Sequence, residues 1–412
     1  MTTATVTLER GLRHLASIAG AEHTRLCGQA IRVAPASAEE IARILAYANE
    51  NGLAVTPTGS SARLGWGNPV ASNILLSLER MTAVREHSWQ DMTCTVEAGC
   101  PWGRLESAMA QHRQMIALDP LWPVRSTVGG IVATNDSGSL RLKYGSLRDF
   151  VLGMTVVLAD GTIAKTGGKV VKNVAGYDLH KLLTGSFGTL GIIAEINFRL
   201  HPIEESARTW TGSAPTPAQL KEPLRGLRDS QLAPSSVQIR ANRNACSLDV
   251  RISSRSECVP ESVSRLEKIF GSLPLAESSP VVWTARQQIF DTPRAVVLKV
   301  SSLPTEICAL IAVLEEWAGD QGAEIAIAAQ ASGQMSVALS SAPDSVPALI
   351  DALRVRLGDD GGSVVALQVP DSLRGVFDVW GCDSNALPLM REIKRRFDPN
   401  RILNPGRFVG DI

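Results

Sequence analysis

Two stretches of small residues could do chemistry in this chain. Thr56-Pro-Thr-Gly-Ser-Ser-Ala-Arg-Leu-Gly-Trp-Gly67 follows the short apolar run Leu53-Ala-Val. Ser126-Thr-Val-Gly-Gly-Ile-Val-Ala-Thr-Asn-Asp-Ser-Gly138 reads as the start of a short helix, with two glycines in its first turn. Consecutive small residues can turn several main-chain N–H groups towards one anion. A helix start leaves N–H groups without intrahelical partners and carries partial positive charge, which suits a phosphate. No Gly-Lys-Ser/Thr follows either stretch, so neither is a P-loop, and the strand–GxGxxG–helix dinucleotide fingerprint is absent.

Glycine stays dense from Gly129 to Gly191, between apolar runs of strand type such as Val151–Leu158 and Ile192–Ile196. Such density suggests a backbone that something large approaches closely. A turn-rich β domain whose glycines only make hairpins is the plainer alternative, and Asp160-Gly161 reads as one such turn.

Four segments together carry a family resemblance: Thr56–Gly67, Thr127–Gly138, Tyr144-Gly145 with Asp149, and Gly185–Ile193. They resemble the FAD domain of the vanillyl-alcohol oxidase / p-cresol methylhydroxylase (PCMH) superfamily. Ile393–Phe408, which contains Phe-Asp-Pro-Asn-Arg-Ile-Leu-Asn-Pro-Gly-Arg, resembles the closing segment of the FAD-linked 2-hydroxyacid oxidase branch. Lys172–Leu182 is similar to the FAD-binding subunits of bacterial glycolate oxidases. The resemblance covers residues 30–202 and 376–408 and is diffuse between them.

The resemblance implies an α+β protein in three parts. These are a two-subdomain PCMH-type FAD-binding domain (1–205), a smaller antiparallel-sheet cap domain (206–372) and a C-terminal segment (373–412) that returns to the FAD domain. It places the pyrophosphate of a non-covalent FAD on main-chain N–H groups of Pro57, Thr58, Gly59, Ser60 and Ser61 and of Thr127, Gly129 and Gly130; proline, which has no N–H, belongs to that first loop only by position. Asn135 and Ser137 would lie nearer the flavin. Gly188, Gly191, Ile192 and Ile193 would face adenine or ribose. The implied cofactor set also takes in Pro120, Gly138, Tyr144, Gly145 and Asn404. Each of these has a structural alternative: a turn for the glycines, and packing with a hydrogen-bonded hydroxyl for Tyr144 and Tyr177. Covalent flavin attachment in the superfamily uses histidine or cysteine, and the first loop has neither.

A 2-hydroxyacid loses its hydroxyl proton as hydride leaves, and histidine is the usual base near neutral pH. The six histidines are His14, His23, His87, His112, His180 and His201, so none follows residue 201. The cap therefore offers neither a histidine base nor histidine metal ligands, no metal is expected, and the catalytic residues stay unassigned. Lys165, Lys169, Lys172 or Tyr177 would serve as a base only with a shifted pKa. Arg286 could pair with a substrate carboxylate, although a surface or interdomain salt bridge is the commoner role. Three functions remain open. The chain could be a relaying or supporting FAD subunit beside a catalytic flavoprotein and an iron–sulfur subunit, a self-sufficient 2-hydroxyacid dehydrogenase, or a structural subunit with an empty FAD fold.

These residues need elements to position them. Ser37-Ala-Glu-Glu40 is a capping box that opens a helix with Ile41, Ile44, Leu45 and Ala48 on one face, and Gly52 ends it. Strands are expected at Ile31–Pro35, Leu53–Val55, Asn73–Leu78 and Thr93–Ala98. Pro101 falls in the first turn of a helix carrying Leu105 and Met109. Residues 1–29 read as an amphipathic lead-in and Ser206–Leu232 as a polar linker with a short helix. Beyond Ser236, a β-β-α-β-α-β-β-α-β series suggests an antiparallel sheet with helices on one face. Leu387–Phe397 is a helix stopped at Asp398-Pro399.

Composition sets the outer bounds. The 412 residues allow two or three domains, and a 44% apolar share supplies their cores. Lys plus Arg equals Asp plus Glu at 41 each, which removes the electrostatic case for nucleic acid or an anionic membrane. No apolar run approaches the ~18 residues of a membrane span, and no secretory-signal pattern is seen. Seven scattered cysteines without a CxxC point to reduced cytoplasmic thiols and exclude a cysteine-ligated iron–sulfur cluster. Peripheral attachment to a membrane would then run through partners.

Overall fold

The computed structural model describes residues 3–168, 177–340, 343–358, 360–381 and 385–412. They form two compact units. The first comprises Met1–Asp136, Ser146–Ile203 and Cys382–Ile412, and the second Ser137–Gly145 and Glu204–Gly381. The α+β class and the return of the C-terminal segment to the first unit agree with the expected fold.

In the first unit, the helix Ala38–Glu50 buries Ile41, Ile44, Leu45 and Ala48. Ser37 caps it, its hydroxyl accepting from Glu40 N at 3.3 Å, while the Glu40 carboxylate accepts from Ala36 N at 2.7 Å. The chain turns out at Gly52 (φ 62°). A four-stranded sheet then forms from β1 (Thr24–Cys27), β2 (Ala30–Val33), β3 (Val55–Thr58) and β4 (Ile74–Ser77) in the order β1-β2-β4-β3. Its β2–β4 and β4–β3 pairs are parallel. Thr56, Pro57 and Thr58, read from sequence as loop, are the end of β3.

A second, five-stranded antiparallel sheet runs β5-β6-β10-β8-β9. Its strands are β5 (Val84–Ser88), β6 (Thr93–Glu97), β8 (Val151–Val157), β9 (Ile163–Gly167) and β10 (Ile192–Arg199). The small pair β7 (Gln114–Met115) and β11 (His201–Pro202) stands apart. Asp160-Gly161 does turn β8 into β9, at φ 89°, and a Cβ on Gly161 would stand 2.6 Å from Ala42 O of helix Ala38–Glu50. Helix Trp102–Ala110 starts just after Pro101, which occupies its N-cap.

The tail closes this unit. Helix Leu387–Phe397 delivers Lys394, whose buried ammonium donates to Asp398 Oδ2 (2.6 Å), Thr189 O (2.8 Å) and Leu403 O (2.9 Å). Asp398 also accepts from Ile402 N and Leu403 N. Burial draws the Lys394 ammonium below its ordinary pKa, against the pull of Asp398. Beyond the turn, Leu403 bridges in parallel to Val55, with Val55 N donating to Ile402 O and Asn404 N to Val55 O.

The second unit is built on one eight-stranded antiparallel sheet. Its strands are β12 (Ser206–Ala214), β13 (Ser236–Asn242), β14 (Ala245–Ser254), β15 (Leu275–Ser278), β16 (Val296–Ser301), β17 (Glu324–Gln330), β18 (Gln334–Ser340) and β19 (Ser363–Gln368). The order is β15-β12-β14-β13-β17-β18-β16-β19. Part of the expected linker is therefore β12, with helix Lys221–Asp229 after it. Only Trp210 marks Ser-Ala-Arg-Thr-Trp-Thr-Gly-Ser-Ala strongly; pairing with β14 along nine residues makes it a strand. The residues read as a lead-in form helix Thr3–Ala19 and β1. Among the described residues no helix is long and apolar enough to cross a membrane.

Lys394→Met leaves the Asp398 carboxylate buried beside two N–H donors. It is expected to destabilise the protein by about 3 kcal/mol, read as a lower midpoint in urea unfolding. A loss below about 1 kcal/mol, the scale of an exposed pair, would show that the tail does not depend on this ion pair.

Candidate functional site

Where β3 ends, the chain runs through Gly59, Ser60, Ser61 and Ala62. The main-chain N–H groups of these four consecutive residues meet no protein partner among the described residues. Ser61 adopts φ 62°, so adjacent N–H groups converge instead of alternating. Unsatisfied donors in succession form an anion nest, and their residues line a cleft.

The opposite wall is helix Val128–Thr134, capped by Thr127. The sequence led us to expect free N–H groups at this helix start, but the first two are used within the protein. Val128 N donates to Cys100 O at 2.9 Å and Gly129 N to Ala98 O at 2.7 Å. The two glycines therefore differ. A Cβ on Gly129 would lie 2.8 Å from Ala98 Cβ, whereas on Gly130 it would meet only Thr127 Oγ1, at 3.2 Å, on the side of the cleft. Gly59 lets the two walls touch, since a Cβ there would lie 2.1 Å from Thr127 Oγ1.

Phe187, Gly188 and Gly191–Ile193 form the third wall. Gly185 N and Phe187 N donate to Val132 O and Ala133 O, fastening this loop to the end of the helix. Asn404 Nδ2 donates to Phe187 O at 2.7 Å. Arg407 lines the cleft from the tail; its guanidinium donates to Arg63 O (2.9 Å), Leu64 O (3.3 Å) and Trp66 O (3.2 Å). Burial lowers its pKa to about 10.

The cleft thus gathers Pro57, Thr58, Gly59, Ser60, Ser61, Thr127, Gly129, Gly130, Gly188, Gly191, Ile192 and Ile193. Pro120, Asn135 and Asn404 lie in the first unit outside the lining, Asn135 as the left-handed C-cap of the helix (φ 49°). Ser137, Gly138, Tyr144 and Gly145 belong to the second unit. So does Arg286, on helix Ala285–Phe290, with its guanidinium 6.0 Å from the Phe290 ring centroid. Lys165 and Tyr177 are exposed; Lys169 and Lys172 lie outside the described residues. Sequence reasoning missed Arg63, Phe187 and Arg407. An arginine inside each small-residue motif, Ser-Ser-Ala-Arg and Asn-Pro-Gly-Arg, was the available signal.

A nest of free donors beside walls of Leu64, Leu78, Ile192 and Ile193 suits a ligand with phosphates and a flat apolar ring. Among the described residues, neither histidine nor cysteine lines the cleft.

Comparison with known proteins agrees with this chemistry. Residues 29–167 match the FAD binding domain family, and residues 382–408 the C-terminal domain of FAD linked oxidases. The chain is 38% identical over 178 residues to glycolate oxidase subunit GlcD of Bacillus subtilis (strain 168), a match covering 43% of this chain and 38% of the relative. It is 39% identical over 171 residues to a D-lactate dehydrogenase of Archaeoglobus fulgidus, covering 41% and 38%. These matches span less than two-fifths of either relative. An uncharacterized FAD-linked oxidoreductase of Mycobacterium tuberculosis aligns over 418 residues at 28% identity, covering 92% of this chain and 90% of its own length. Among solved structures, p-cresol methylhydroxylase with substrate bound superposes with a TM-score of 0.76 at 16% identity, covering 99% and 97%. The chain thus carries an FAD binding domain over residues 29–167 and an FAD linked oxidase C-terminal segment over 382–408, its cofactor is FAD, and its fold is of the p-cresol methylhydroxylase type.

Proposed function

We propose that this chain is the FAD-binding subunit of a complex that oxidises a small 2-hydroxyacid, glycolate in the first instance. It relays electrons for, or supports, a catalytic flavoprotein, and an iron–sulfur subunit passes the electrons on towards the respiratory chain. The observation that carries this reading is the combination of a nest-lined cleft with a second unit, Glu204–Gly381, that contains no histidine. Likeness to a protein named as a glycolate oxidase subunit supports the substrate class and the partnership. In this reading the chain works in the cytoplasm, and its partners hold it at the inner face of the membrane.

When bound, FAD supplies a two-electron carrier. The chain's own residues hold it: the N–H groups of Gly59–Ala62 bind the pyrophosphate, Gly130 leaves room for it, and Ile192 and Ile193 offer an apolar wall to the adenosine. With no histidine or cysteine among the described residues of the lining, the flavin is held without a covalent bond in this reading. Acid precipitation should release all the yellow colour to the supernatant; flavin retained in the pellet would show a covalent link.

The two helix-start glycines provide the test of the cleft. Gly130→Val should fold and lose its flavin, because a Cβ there meets only Thr127 Oγ1 and the residue lines the cleft. Gly129→Val should instead cost about 1–3 kcal/mol of stability through overpacking against Ala98. Full flavin occupancy in Gly130→Val would place the cofactor elsewhere.

The relay role is tested by anaerobic mixing of the FAD-loaded chain with glycolate or D-lactate while flavin absorbance is followed. Little bleaching alone, restored by a partner flavoprotein, is the expected result. Bleaching by the isolated chain as fast as the complex turns over would make it a self-sufficient dehydrogenase. A purified chain that binds no FAD would be a structural subunit.

A further inference from the structure

We infer that Arg63 and Asp136 form a positioning pair that holds the two cofactor-binding walls at their working separation and thereby sets how tightly FAD is bound. This rests on the reading that the cleft beside Gly59–Ala62 is where FAD sits.

Arg63 follows the nest directly, and its side chain runs away from the loop into the protein, where only 5% of it is exposed. Its Nη2 donates to Asp136 Oδ2 at 2.5 Å and to Leu121 O at 2.8 Å, and its Nη1 to Ser126 Oγ at 2.7 Å. These partners are not scattered. Ser126 precedes the N-cap of helix Val128–Thr134, and Asp136 follows its C-cap, Asn135. One guanidinium therefore grips both flanks of the helix that faces the nest. The grip is cross-braced, since Asp136 Oδ2 also accepts from Leu121 N (2.8 Å) and Ser126 Oγ donates to Leu121 O (2.9 Å).

The arginine is held in turn. Its guanidinium carbon lies 5.5 Å from the Trp66 ring centroid and 5.7 Å from that of Trp122, both buried indoles. Its main-chain oxygen accepts from Arg407. A planar donor with several N–H groups in fixed directions can bond Asp136, Ser126 and Leu121 together; an ammonium on a flexible stem cannot reproduce that geometry. A buried ion pair is seldom more stabilising than apolar residues of similar volume. Fixing one loop arrangement is the better account of this one. A nest whose opposite wall is pre-set binds its anion without first losing the freedom of two loops.

The test separates holding the walls from merely stabilising them. Arg63→Lys, and the paired Arg63→Met/Asp136→Leu replacement, are purified with FAD. FAD dissociation is measured by the rise in flavin fluorescence on dilution, and thermal midpoints are taken at saturating FAD. The paired variant is expected to melt close to the parent yet release FAD with a Kd raised by about tenfold or more, by analogy with the loss when groups that orient metal ligands are removed. Arg63→Lys, which keeps the charge, is expected to weaken FAD similarly, and it decides the matter if the paired variant does not fold. A Kd within twofold of the parent in either folded variant overturns the inference. Gly130→Val tells the two readings apart. If it loses FAD while the Arg63 variants keep parental affinity, the cleft assignment stands and the positioning role falls. If it keeps FAD, the cleft assignment fails and the inference falls with it.

Discussion

The cleft depends on backbones that touch where no side chain fits. The end of β3 meets the helix start at Gly59 and Thr127, and the helix start meets the turn after β6 at Gly129 and Ala98. These contacts join the parallel sheet to the antiparallel one, so the walls of the cleft approach closely where they meet. They also divide the donors. The helix spends its first N–H groups on Ala98 and Cys100 to make the contact, which leaves the nest at Gly59–Ala62 as the group of unsatisfied donors described on the lining. Four consecutive donors without a protein partner on one cleft wall are a more specific feature than a glycine pattern.

Long-range polar contacts hold these pieces. Lys394 joins the tail helix to Thr189, and Asn404 joins the tail turn to Phe187, so the last thirty residues brace the Gly188–Ile193 wall from behind. Each buried charge is nearly saturated with partners, as burial requires. The discontinuity of the first unit follows. A chain that closes this cleft wall with a segment following the second unit cannot complete the first unit until the second has been made.

The second unit handles its sheet differently on the two faces. Val237, Ile239, Leu248 and Val250 are buried on one side. On the other, buried Asp249 accepts from Thr211, Gln238 and Arg240, and the segment Pro280–Phe290 lies over that row through Val282 and Trp283. Asp249 accordingly holds the Arg240 guanidinium above its ordinary pKa. Helices were expected on one face only; this short helical segment on the polar face carries Arg286 and was legible only as an isolated arginine.

By itself the sequence determined the local elements. The Ser37 cap with its apolar helix face, the Asp160-Gly161 turn, the hairpin of β13 and β14, and the Leu387–Phe397 helix all rest on neighbours a few residues apart. The two small-residue stretches, with the tail motif, likewise pointed to the FAD cofactor. Tertiary structure alone decided which groups within those stretches remain available. Gly129 and Gly130 are adjacent and chemically identical, yet one is used against Ala98 and the other faces the cleft, because Ala98 approaches from the turn after β6, far earlier in the chain. Arg63 became a brace and β12 a strand for the same reason. Their partners lie far along the chain, and short-range pattern carries no information about contacts that only the folded backbone brings together.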